Sequence, residues 1–125
     1  MPMSTYEVGT KLVELCKQGK YKQAMETLYA PDIASIEAAS SPGMPRETRG
    51  LPAVMAKDKA WGDNHTIHDQ GVAGPYPHGD RFIVHFSFDV TNKQTNRRMK
   101  MDEMGLYTVR DGKIAHEEFF YVMGQ

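Results

Sequence analysis

Two carboxylates and a histidine offer the clearest route to chemistry in this sequence. Glu103 and Glu117 lie on successive strand-like stretches, and His68 follows His65 in an H-x-x-H spacing. Burial raises a carboxyl pKa and close carboxylates resist ionising together, so one of such a pair can be a neutral acid and the other a base. A histidine beside them can shuttle a proton or orient a substrate carbonyl. The same residues have plainer readings. Glu103 and Glu117 can project to solvent or pair with Arg97, Arg98 or Lys100, as charges on strands often do. His65 and His68 straddle the end of a helix, and no third ligand is evident, so no metal is expected. Glu37, on a short strand candidate, is the remaining acidic candidate.

The elements that must position these groups are legible from spacing. Ser4-Thr5-Tyr6-Glu7 has the form of a capping box, and Val8, Leu12, Leu15 and Cys16 then mark one face of a helix that stops at Gly19. Tyr21, Ala24, Met25, Leu28 and Tyr29 predict a second helix, with Pro31 as its end. Residues 33–38 form a short strand candidate, followed by a loop rich in serine and proline. A third helix opens at Gly50 with Pro52 in its first turn, and Leu51, Val54, Met55 and Trp61 share a face. Trp61 is either a core anchor or a ligand contact.

The remainder reads as strands. Residues 67–72 are a weak candidate. Phe82, Val84, Phe86, Phe88 and Val90 alternate with Ile83, His85, Ser87 and Asp89, which predicts a strand with one apolar face. Those apolar residues are either plain core or the lining of a pocket. Residues 99–109 and 113–123 flank Asp111-Gly112, a hairpin turn. A two-residue turn pairs Val109 with Ile114 and puts Glu103 on the face of His116, Glu118 and Phe120. A three-residue loop closed by Gly112 pairs Val109 with Lys113, and groups Glu103, Tyr107, Glu117, Phe119 and Tyr121 instead. On the second register the cavity also receives Met99, Met101 and Met123.

Composition narrows the function classes. At 125 residues and 40% hydrophobic, the chain is expected to form one domain, residues 1–125, with a real core. A net charge of −1 provides no basic footprint, so nucleic acid is not an expected partner. No apolar run is long enough to span a membrane, and the N-terminus lacks the layout of a signal peptide, so a cytoplasmic location is expected. The single Cys16 excludes an internal disulfide and a thiolate metal site.

Helix, helix, strand, helix, then an antiparallel meander is an α+β order. With Leu28-Tyr29-Ala30-Pro31-Asp32 closing helix two, Arg49-Gly50-Leu51 opening helix three, Val109-Arg110-Asp111-Gly112-Lys113-Ile114 at the hairpin and Phe119-Phe120-Tyr121 ending the last strand, the chain resembles the SnoaL-like branch of the NTF2-like superfamily. The resemblance implies a cystatin-like cone: three N-terminal helices on a curved, mostly antiparallel sheet, enclosing a blind pocket. It favours the second hairpin register, because the aromatic matching Tyr121 faces the pocket in that family.

Function does not follow from the fold alone, since the superfamily holds isomerases, dehydratases, cyclases and non-enzymes. Set against the ketosteroid isomerases, the base position falls on Ala38, the helix-one tyrosine on Leu12, and the second acid near Met104 or Gly105, so that mechanism is not implied. Two readings follow. One is a cofactor-free acid/base enzyme acting on a small hydrophobic carbonyl compound, with Glu103, His68 and Glu117 as catalytic groups. The other is a non-catalytic small-molecule-binding protein or scaffold built on the same cone. In either case Glu37, Trp61, His65, Phe86, Phe88, Met101, Tyr107, Phe119 and Tyr121 are the expected ligand contacts. A homodimer is expected through the outer sheet face, where His85, Asp89, His116 and Glu118 alternate with buried positions.

Overall fold

A computed structural model of the chain describes residues 2–40 and 44–122. Helix α1 (Thr5–Lys17) begins where its capping box dictates: the Glu7 amide donates to Ser4 Oγ at 3.1 Å, and the Ser4 amide donates to Glu7 Oε1 at 2.9 Å. Helix α2 (Tyr21–Leu28) is shorter than its apolar spacing suggested. The chain turns extended at Tyr29, so Pro31 sits inside strand β1 (Tyr29–Ile36) and does not end the helix. Pro31 is tolerated there because the β1 ladder to its neighbour is irregular between Tyr29 and Ala34. Strand β2 (Glu47–Arg49), three residues long, was not foreseen, and it leads through Gly50 into α3 (Leu51–Asn64).

Four strands complete the sheet: β3 (His65–His78), β4 (Arg81–Asn92), β5 (Arg97–Arg110) and β6 (Lys113–Phe120). Their order is β2-β1-β6-β5-β4-β3, antiparallel throughout except for the parallel β1–β6 pair. The three helices cover one face of this sheet. Near the β5–β6 hairpin the space between the layers is filled by core residues such as Val8, Leu28, Ile33, Phe82, Val84 and Ile114. Toward the other end the layers part around a cavity, which is the cone expected from the resemblance.

The hairpin that decides which carboxylates face inward starts in the two-residue register and then slips by one residue. Asp111 (φ 53°) and Gly112 (φ 76°) form a two-residue turn, pairing Arg110 with Lys113 and Val109 with Ile114. Ala115 is then left without a partner, and pairing resumes with Thr108 opposite His116 and Tyr107 opposite Glu117. The three-residue loop does not occur. The bulge restores its consequence, because it shifts the register by one residue and turns Glu117 and Phe119 to the face of Tyr107 and Glu103.

Candidate functional site

The cavity holds about 350 Å³, in the range of small-molecule sites. Its walls are mainly aromatic and aliphatic: Trp61 from α3, Phe86 and Phe88 from β4, Met101 from β5 and Phe119 from β6. Alternation along β4 explains this placement. Phe82, Val84 and Val90 share the inward face but are sealed in the core, while Phe86 and Phe88 reach open space. Trp61 packs against Phe88 with ring centroids 5.7 Å apart.

Most polar groups of the cavity are bound to one another. Glu117, 3% exposed, accepts hydrogen bonds from the Tyr29 hydroxyl and, at 2.7 Å, from the Ser35 hydroxyl. Lys57 Nζ donates to Ser35 Oγ at 2.7 Å and forms an ion pair with Glu37 at 2.9 Å. The Tyr121 hydroxyl donates to the other Glu37 oxygen at 3.0 Å. Burial raises the Glu117 pKa, against the lowering effect of its two hydroxyl donors and Lys57. Both Glu117 oxygens receive donors, which is the geometry of a carboxylate rather than an acid.

Two groups on β5 stand apart, and Asp58 of α3 also lines the cavity without a hydrogen-bond partner among the described residues. The Glu103 carboxyl lines the cavity and has no hydrogen-bond partner among the described residues. Burial pushes its pKa up to about 7, with the negative charges of Glu37 and Glu117 acting in the same direction and Lys57 opposing. The Tyr107 hydroxyl likewise has no partner among the described residues, although the side chain is 2% exposed and lines the cavity. Its ring is stacked on Phe82 (5.0 Å) and lies over the bare backbone of Gly105, two residues along the same face. A Cβ on Gly105 would come within 2.8 Å of that ring. An acid near its midpoint and a phenol with its O–H free can move a proton and hold a developing oxyanion.

The structure brings most of the expected residues together: Glu37, Trp61, Phe86, Phe88, Met101, Glu103, Tyr107, Glu117, Phe119 and Tyr121 all line the cavity. Two histidines are corrections. His68 is exposed and bonded to Thr91 Oγ1 at 2.7 Å, because Ile67 takes the inward position and the next residue falls on a bulge facing out. His65 is not part of the lining; it caps α3, donating from Nδ1 to the Trp61 carbonyl at 2.8 Å, and stacks on the Trp61 ring at 4.3 Å. Met99 is also outside the lining, and Met123 lies outside the described residues. Lys57 and Ser35 went unnoticed in the sequence, and Tyr29 and Tyr21 were read only as part of a helix face. Lys57 alone had a usable signal, since it stands between Val54 and Trp61 at spacings of three and four on one helix face.

Among the described residues no group of three or more His, Cys, Asp or Glu is placed to hold a metal ion, and no helix is long and apolar enough to cross a membrane.

Three helices on a curved six-stranded sheet with a cavity between them define an NTF2-like, cystatin-like protein, and solved structures of that kind share the architecture. The chain belongs to the SnoaL-like domain family, which matches residues 3–121. A Mesorhizobium loti protein is 44% identical with a TM-score of 0.91, the match covering 95% of this chain and all (100%) of that one. Its provisional name joins SnoaL-like polyketide cyclase to carbohydrate phosphatase, so it brings no single activity with it. A Bacillus subtilis protein provisionally named an isomerase (16% identity, TM-score 0.79, 96% and 90% coverage) shares the fold. So does a Burkholderia thailandensis NTF2-like protein (19%, TM-score 0.80, 96% and 92%). No match was found among curated proteins.

Proposed function

We propose that this protein binds a small, mainly apolar carbonyl compound in the cone and catalyses proton transfer next to the carbonyl without a cofactor. The observation that carries the reading is the contrast inside the cavity: Glu103 and Tyr107 face it without a hydrogen-bond partner among the described residues, while Glu37, Lys57 and Glu117 are bonded to one another and to their hydroxyl partners. In this scheme the ionised Glu103 takes a proton from the carbon beside the carbonyl, and the Tyr107 O–H hydrogen-bonds the oxygen on which negative charge develops. Returning the proton to a different carbon gives isomerisation; loss of a hydroxide from the neighbouring carbon gives dehydration. Burial keeps Glu103 near its midpoint, with the charges of Glu37 and Glu117 adding to it, and His68 has no part.

Exchange of the protons beside the carbonyl in deuterated water, followed by NMR across a panel of apolar ketones, tests this without knowledge of the natural substrate. Wild type is expected to accelerate exchange, and Glu103→Gln to lose about 100-fold of that acceleration. Binding of ketones with no acceleration would remove catalysis and leave a small-molecule-binding protein.

The partner assigned to the outer sheet face is a second copy of the chain. Ile83, Met104 and Phe120 are exposed there, beside the hydrogen-bonded His85–Asp102 pair. Sedimentation at tens of micromolar (roughly, for a standard-sized interface) is expected to show twice the chain mass. A monomer under those conditions would end the assignment.

A further inference from the structure

The hydrogen-bond directions on the helix side of the cavity are determined by one backbone carbonyl. Gln70, on β3, places Nε2 2.9 Å from the Cys16 carbonyl oxygen and Oε1 2.5 Å from the Tyr21 hydroxyl. A carbonyl oxygen only accepts, so the amide NH2 must face Cys16 and the amide oxygen must face Tyr21. That oxygen also only accepts, so Tyr21 must spend its proton on Gln70. What Tyr21 has left is lone pairs. Tyr21 lines the cavity together with Cys16, Asp58 and Glu103. Gln70 does not line it, so it acts through Tyr21.

The inventory of the pocket is therefore asymmetric. At the sheet side Tyr107 has an O–H to donate and sits beside Glu103. At the helix side Tyr21 has only an acceptor. The cavity has room for roughly 15 non-hydrogen atoms at interior packing density.

Building on the carbonyl-binding reading above, we propose that the ligand is a hydroxy-carbonyl compound whose carbonyl meets Tyr107 and Glu103 and whose hydroxyl, carried on the same apolar skeleton, donates to Tyr21. Gln70 is the positioning residue that makes Tyr21 select a donor. A ligand bearing a methyl ether in place of that hydroxyl would set two acceptors against each other, and a bare hydrocarbon would leave the Tyr21 lone pairs unpaired.

The test compares phenylbutanones carrying a para hydroxyl, hydrogen or methoxy group, titrated by calorimetry. Wild type is expected to bind the hydroxyl compound about tenfold more tightly than the hydrogen compound, and the methoxy compound least. Tyr21→Phe should equalise hydroxyl and hydrogen. Gln70→Leu frees the Tyr21 proton, so the gap between hydroxyl and methoxy should close to about threefold or less while the melting temperature stays close to wild type. A structural role for Gln70 would lower all three affinities together and would not move their ranking. Equal wild-type affinities for the three compounds, or a gap between hydroxyl and methoxy in Gln70→Leu as wide as in wild type, would overturn the inference and leave the carbonyl site intact. If none of the three binds, the reading beneath it falls as well. Tyr21→Phe keeps the ring and its packing, so it decides the matter even if Gln70→Leu fails to fold.

Discussion

Glu117 on β6 and Glu103 on β5 enter the same cavity from neighbouring strands and meet opposite fates. Glu117 is enclosed by donors contributed by β1, and Lys57 sits one hydrogen bond further out. Glu103 looks across Phe86, its cross-strand neighbour, into open space with no donor in place among the described residues. β6 pairs with β5 only as far as Met104–Phe120, so Glu103 stands just past the end of that ladder. The contrast teaches that a buried carboxylate is not itself a sign of function. A saturated carboxylate is part of the scaffold, whereas one left without partners is poised for something that arrives from outside.

The strongest way to break this comparison is to remove the saturated partner. Glu117→Leu strands the Tyr29 and Ser35 donors in the core and is expected to cost about 3 kcal/mol of stability. Urea denaturation measures it, and a loss below about 1 kcal/mol would mean the network is not structural. The same variant removes a neighbouring negative charge, so the Glu103 pKa should fall from about 7 toward its usual range.

Glu103→Gln should do the reverse. Because the folded-state pKa lies above the ordinary 4.5, the native protein holds its proton where the unfolded chain has lost it. Stability therefore falls as pH rises from about 4.5 to about 7 and is level beyond. Glu103→Gln abolishes that slope, becoming more stable than wild type by roughly 2 kcal/mol at pH 8, a value discounted for the partial solvent access of the carboxyl, and no different near pH 4. Melting curves across that pH range check the sign; a wild type that grows more stable toward pH 8 relative to the variant would refute it.

A smaller effect comes from Gly105→Ala. The new methyl meets the Tyr107 ring, which Phe82 on one side and Phe119 at 6.2 Å on another prevent from swinging away. The expected cost is about 1–2 kcal/mol, with weaker ketone binding because the hydroxyl moves. Smallest of all is Arg98→Ala on the outer face. It breaks an exposed pair with Asp89 (2.9 Å) and should leave the melting temperature unchanged, showing that charge outside the cone carries little.

How much of this was legible follows from range. The capping box, the opening of α3 at Gly50 and the apolar alternation of β4 depend on residues a few positions apart, and the structure has them where local spacing predicted. The inward face of Glu103, Tyr107 and Glu117 was also readable, though through a different turn, since both registers that differ by two residues present the same face. His68 was misread because a single bulge in β3 reverses side-chain direction, and Gln70 was overlooked because its role lies in what it makes Tyr21 do.

By itself the sequence determined the order of the three helices and the longer strands, the apolar lining of the sheet and the family to which they belong, because each is written in periodicities and short motifs. Tertiary structure alone decided which carboxylate is satisfied. Tyr29 and Ser35 stand 88 and 82 residues from Glu117, and Tyr21 stands 49 from Gln70. No local spacing encodes such meetings, since a hydrogen bond depends on tenths of an ångström that only the packed sheet and helices settle.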